Sequence, residues 1–113
     1  MKIKFSGRGI STNEAYSKGY RNRHGKGVLL KTQFASLLRS HRDMFFDKFE
    51  VIVTYNGRFD IDNTVATIKV FIDVMRSEGI VTNDTKEFFK KLTVKFEPEQ
   101  ENPSYVFHVK EVE

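Results

Sequence analysis

The 113-residue chain has no cysteine, no tryptophan and only two prolines. Without cysteine there is no disulfide framework, no zinc–thiolate centre and no thiol nucleophile. No apolar run approaches the roughly 18 residues that a membrane span needs. The opening MKIKFSGRGIST has no apolar stretch long enough for a secretory leader. These absences lead us to expect a cytoplasmic protein, with residues 1–113 forming one domain around one core. Acid is missing locally as well. From Ala15 to Arg42 there is none, while Lys18, Arg21, Arg23, Lys26, Lys31, Arg39 and Arg42 fall in that span. The net charge of +4 hides this polarity: residues 1–50 carry eleven Lys/Arg against four Asp/Glu, and residues 97–113 carry one Lys against five Glu. A one-sided basic block suits a polyanion, most simply nucleic acid. A solvated basic loop and helix face is the plainer alternative.

What the chain has in quantity is phenylalanine, eleven in all, set in patterns that read as a mixed α/β domain of the α+β kind. Lys2-Ile3-Lys4-Phe5 alternates as a strand. Residues 7–27, with five glycines and the aromatics Tyr16 and Tyr20 among basic residues, read as a long loop. Phe34, Leu37, Leu38 and Phe45 follow helical spacing from Thr32 to about Phe46. The apolar density of Phe49–Tyr55 predicts an interior strand. Val65, Ile68, Ile72 and Met75 mark one face of a second helix ending near Ser77, with Gly79 as its stop signal. Val70, Phe71 and Val74 widen that apolar surface, suiting either a more deeply buried helix or a partner subunit. Asp84 and Glu87 sit in capping-box positions for a short third helix or turn. Leu92–Phe96 and Tyr105–Val109 alternate as strands and suggest a hairpin around a polar turn, so a mixed sheet packs against two main helices.

The stretch Arg58-Phe59-Asp60-Ile61-Asp62-Asn63 puts two carboxylates one residue apart between a strand and a helix. Like charges this close oppose each other's ionisation, and a bound cation would relieve them. At an extended strand end, residues i and i+2 face one way. Mg²⁺ is often held by only one or two carboxylates, with water and phosphate completing its shell. Lys69 follows Asp62 by two helical turns and Asp73 follows Lys69 at i+4. Asp84 returns toward the helix after the turn at Gly79. The plainer readings are Asp62 and Asp84 as helix N-caps and Lys69–Asp73 as a surface pair.

Together these residues resemble the RusA family of Holliday junction resolvases. The family's central segment runs approximately D-L-D-N, K-x-x-x-D, G, then D-D or N-D. Here it is Asp60-Ile61-Asp62-Asn63, Lys69-Val70-Phe71-Ile72-Asp73, Gly79 and Asn83-Asp84. Ser11-Thr12-Asn13-Glu14-Ala15-Tyr16 matches, more loosely, the family's Asn-x-x-Tyr stretch ahead of a basic loop. The resemblance spans about residues 5–96 and is strongest over 58–84. It implies Asp60, Asp62 and Asp84 as metal-binding acids, Lys69 as an essential lysine and Mg²⁺ as cofactor. It also implies a homodimer that nicks opposed strands of a four-way DNA junction in a bacterial or phage setting. Asn13, Tyr16, Lys18, Arg21, Arg23, Lys26, Lys31 and Arg58 would then contact DNA. Three extra residues separate Asn63 from Lys69, which would turn Lys69 by about 60° around a continuous helix. Phe59 stands where the family commonly has arginine, and Asn83 where it often has aspartate.

Three functions follow from the sequence. The first is a Mg²⁺-dependent endonuclease that resolves four-way junctions. The second is a non-catalytic nucleic-acid-binding module on the same scaffold, and the third a protein-binding adaptor. The acids separate the first two, because carboxylates beside phosphates repel them unless a cation intervenes.

Overall fold

A computed structural model describes residues 1–15 and 20–113, without the side chains of Asn13 and residues 20–26. Four strands, β1 (Lys2–Ser6), β2 (Phe49–Asn56), β3 (Phe89–Phe96) and β4 (Ser104–Glu111), form one mixed sheet in the order β1-β4-β2-β3. The helices are α1 (Thr12–Ala15), α2 (Tyr20–Leu38) and α3 (Val65–Ser77), with 3₁₀ turns at Arg39–His41 and Ile61–Thr64. The α+β class expected from the sequence is the class observed.

One face of the sheet carries the core. Alternation places Ile3 and Phe5 of β1, Phe49, Val51, Val53 and Tyr55 of β2, and Tyr105, Phe107 and Val109 of β4 on that face, all buried. The register lines them up: Ile3 opposes Phe107, which opposes Val53, while Phe5 opposes Tyr105, which opposes Tyr55. The other face holds Lys2, Lys4, Thr54, Val106 and His108, which are exposed or half-buried. Helices α2 and α3 cover the apolar face. Phe34 of α2 meets Phe5 and Phe107 edge-on, at centroid separations of 4.9 and 5.5 Å, and Phe71 of α3 stacks on Phe107 at 3.9 Å. Edge-to-face and offset contacts of this kind add to the burial of the rings themselves.

Of the two readings of the Val70–Val74 surface, the more deeply buried helix is observed: Phe71 and Val74 are buried, and Val70 packs against the core. Phe34 meets Phe71 at 5.4 Å, so α2 supplies the cover on that side. The loop read over 7–27 ends early. Helix α2 starts at Tyr20, carries Gly25 and Gly27 within it, and stops at Leu38 rather than near Phe46. Its buried row Leu30, Phe34, Leu38 holds it to the sheet despite the glycines.

No hairpin joins the last two strands. β3 pairs parallel to β2 at the sheet edge, and β4 inserts between β1 and β2, antiparallel to both. Composition explains the placement. β3 carries Lys90, Lys91 and Lys95, charges that suit an edge, whereas the inward row of β4 is fully apolar. The 97–103 connection therefore crosses the end of β2, and Gln100 fixes it there by bonding Thr54 and Ser104 while its carbonyl accepts from Asn56. Residues 84–88 form a turn, not a helix. Helix α3 ends in a Schellman motif, with Ile80 N–H on Met75 O at 3.0 Å, Gly79 N–H on Arg76 O at 3.1 Å and Gly79 at φ +77°.

Candidate functional site

The two carboxylates lie off the strand. β2 ends at Asn56, Asp60 is extended at φ −70°, ψ 160°, and Asp62 belongs to the 3₁₀ turn Ile61–Thr64. Asp62 is therefore not the N-cap of α3, a position taken by Thr64 without a side-chain cap. The strand-end geometry that would have aligned the acids is absent, yet both line one cleft of about 450 Å³, together with Tyr55, Gly57, Arg58, Phe59, Ile61 and Phe96.

Local bonds hold this turn. Thr64 Oγ1 donates to Ile61 O at 2.6 Å, and Thr12 Oγ1 donates to Asp62 O at 3.1 Å, tying α1 to the turn. Tyr55 OH donates to Phe59 O at 2.8 Å, anchoring the bend that leads into Asp60. Burial, then the nearby Asp60 and Asp62 carboxylates, push the Tyr55 phenol above its ordinary value. Both acids are exposed, and among the described residues neither has an ion-pair partner.

Lys69 and Asp84 are brought together, but elsewhere. Lys69 Nζ stands 3.8 Å from Asp84 Oδ2 and 4.0 Å from Asp73 Oδ1, the expected i, i+4 partner. Arg76 closes the other side of Asp84 at 3.6 Å and donates to Asn83 Oδ1 at 3.4 Å. Asn83 Oδ1 also accepts the Asp84 N–H at 2.8 Å. Lys69 and Asp84 line a second recess of about 210 Å³ with Val65, Ile68, Ile72, Phe89 and Leu92. The two recesses are neighbours. The strand gives Leu92 to one and Phe96 to the other, about 13 Å apart at 3.3 Å per residue.

Among the described residues, no group of three or more acids and histidines could hold a metal ion. Asp60 and Asp62 bring two carboxylates to one cleft, the number that Mg²⁺ often takes when water and phosphate complete its shell, and too few for an all-protein cage. Asp84 does not join them, being paired to Lys69 and Arg76.

Of the expected DNA contacts, Lys31 is exposed on α2 and Arg58 is exposed in the carboxylate cleft. Tyr16 and Lys18 lie outside the described residues, as do the side chains of Asn13, Arg21, Arg23 and Lys26; the last three sit on the first turns of α2. No helix among the described residues is long and apolar enough to cross a membrane.

Sequence reasoning missed three residues at the site. Arg76 was findable, since Lys69, Asp73 and Arg76 follow helical spacing. Arg8 comes from the 7–10 loop, its guanidinium 5.5 Å over the Phe59 ring and 2.9 Å from Glu14. Phe96 was read as a strand residue but not as a cleft wall, because its edge position depends on strand order. Compared with family models and with curated proteins, the chain matches none.

Proposed function

We propose that this protein is a Mg²⁺-dependent, structure-specific DNA endonuclease that resolves four-way junctions by paired nicks. The observation that carries the reading is the Asp60/Asp62 pair. Both carboxylates are exposed in one cleft, with no cationic partner among the described residues. Two exposed carboxylates lining one cleft are what a hard cation would neutralise. A bound Mg²⁺ would supply a polarised phosphodiester and an activated water there.

Asp60 and Asp62 would hold the ion, and Arg58 at the cleft would meet the DNA backbone. Lys69 stands in the adjoining recess with its charge shared between Asp73 and Asp84, so it would offset phosphate charge only on leaving those partners. Lys31 and the basic residues of the 15–42 block would grip phosphates, which position DNA without reading its sequence. Junction shape would then select the substrate. A homodimer belongs to the same reading, one subunit per nicked strand.

The test is a labelled synthetic four-way junction with Mg²⁺ or chelator, comparing the natural chain with Asp62→Asn. Paired nicks that need both Mg²⁺ and Asp62 are expected. Tight junction binding without cleavage, unchanged or strengthened in Asp62→Asn, would instead establish a non-catalytic binding module. One observation favours that second reading: Asp84 is already neutralised by Lys69 and Arg76.

A further inference from the structure

Phe96 ends the edge strand β3 with 48% of its surface exposed, and Ile61, between the two acids, is 49% exposed. Isolated apolar residues on a surface need no explanation. These two are not isolated: they line the same cleft as Asp60, Asp62 and Arg58. The Phe96 ring packs against Tyr55, with centroids 5.5 Å apart and planes at 60°, and leaves about half of its surface open. Tyr55 is itself buried and held by Phe59 O, so the platform is backed by a fixed ring.

The cleft thus sets the cationic Arg58 beside an open aromatic surface, with two acids that meet a phosphate only across a bound cation. Its volume of about 450 Å³ lies within the usual range of small-ligand sites. A paired, stacked base keeps its faces against its neighbours and has none to offer Phe96. An unpaired nucleotide has a free π-face and can leave the helix. A protein partner would gain from the apolar pair but would have to bury or pair Asp60, Asp62 and Arg58, so nucleic acid fits the mixture better.

We infer that the cleft takes one unstacked nucleotide, its base on Phe96 and Ile61 and its phosphate toward Arg58. Phe96 is therefore a specificity-determining residue that favours DNA with an unpaired base beside the bound phosphate. The inference rests on the nuclease reading for its substrate but is tested by binding alone.

The probes are two DNA duplexes of one sequence, one fully paired and one with a single-nucleotide bulge, each with 2-aminopurine at that position. Binding is measured with Ca²⁺ in place of Mg²⁺ to avoid turnover. The natural chain is expected to prefer the bulged duplex roughly 5- to 150-fold, the range of one base–aromatic stack, and to change 2-aminopurine fluorescence on binding. Phe96→Ala should lose the preference and the signal, and Phe96→Tyr should keep both. Equal affinity of the natural chain for the two duplexes, or a preference retained by a normally melting Phe96→Ala, overturns the inference; a surface that takes a protein partner instead would give one of these two results. Failure of catalysis reads differently: Phe96-dependent binding with no Mg²⁺-dependent cleavage sinks the nuclease and leaves the stacking site. Mg²⁺-dependent cleavage with no Phe96-dependent binding preference sinks the stacking site and leaves the nuclease.

Discussion

Single residues decide how the site segments meet the core. Gly9 has φ +71°, and a Cβ there would overlap the Thr67 side chain. Thr67 is fully buried; its hydroxyl accepts from Ile10 N–H at 2.9 Å and donates to Ile10 O at 2.8 Å. Gly9→Ala therefore meets a strained backbone and a rigid neighbour together, and should cost about 2–4 kcal/mol in a denaturant titration. The carboxylate pair was legible in the sequence because Asp60-Ile61-Asp62 breaks the local apolar pattern. Capping was misplaced. The reciprocal box joins Ser11 and Glu14, with Glu14 N–H on Ser11 Oγ at 3.0 Å and Ser11 N–H on Glu14 Oε1 at 3.2 Å. Ser11-Thr12-Asn13-Glu14 carries that signal in plain view, whereas Asp84 was drawn instead to the cations of α3.

Elements set the surroundings of groups that the sequence leaves ambiguous. The interior place of β2 and the end of α3 were readable, one from apolar density and the other from Gly79. Strand order was not, because alternation fixes which face a residue takes and says nothing of which strand lies beside it. The register puts His108 of β4 between Lys2 and Ile52. Burial first, then Lys2, the N-terminal ammonium and Lys110, lower the His108 pKa below 6.5, and Glu50 opposes them only in part. With the folded value depressed, the unfolded chain takes up a proton first as pH falls, so stability is lost below about 6.5. His108→Gln should flatten that loss between about pH 5 and 7 in thermal melts at fixed ionic strength. A variant as acid-sensitive as the natural chain would place the effect elsewhere.

At the scale of the molecule, the core is an aromatic cluster running through β1, β2, β4, α2 and α3. Phe34 is fully buried and touches Phe5, Phe71 and Phe107, so it joins α2 and α3 to the sheet. Phe34→Ala should cost about 3–5 kcal/mol, the range for emptying a closed aromatic site. That is a large share of the stability of a small domain, so equilibrium unfolding should show a marked drop in midpoint. Phenylalanine abundance announced such a core, and helical spacing supplied Phe34. Glycine abundance obscured the helix carrying it: propensity argues against α2 near Gly25 and Gly27, and packing from Leu30 onward overrides it.

Strand β4 completes the sheet from within, between the first two strands made. Until its residues leave the ribosome, β1 and β2 have no common neighbour, and Ile3, Phe5, Val51 and Val53 lack the row that joins them. Synthesis therefore runs almost to residue 111 before a closed core exists. Nascent chains halted at the 97–103 connection would offer two hungry strand edges to chaperones, or to one another.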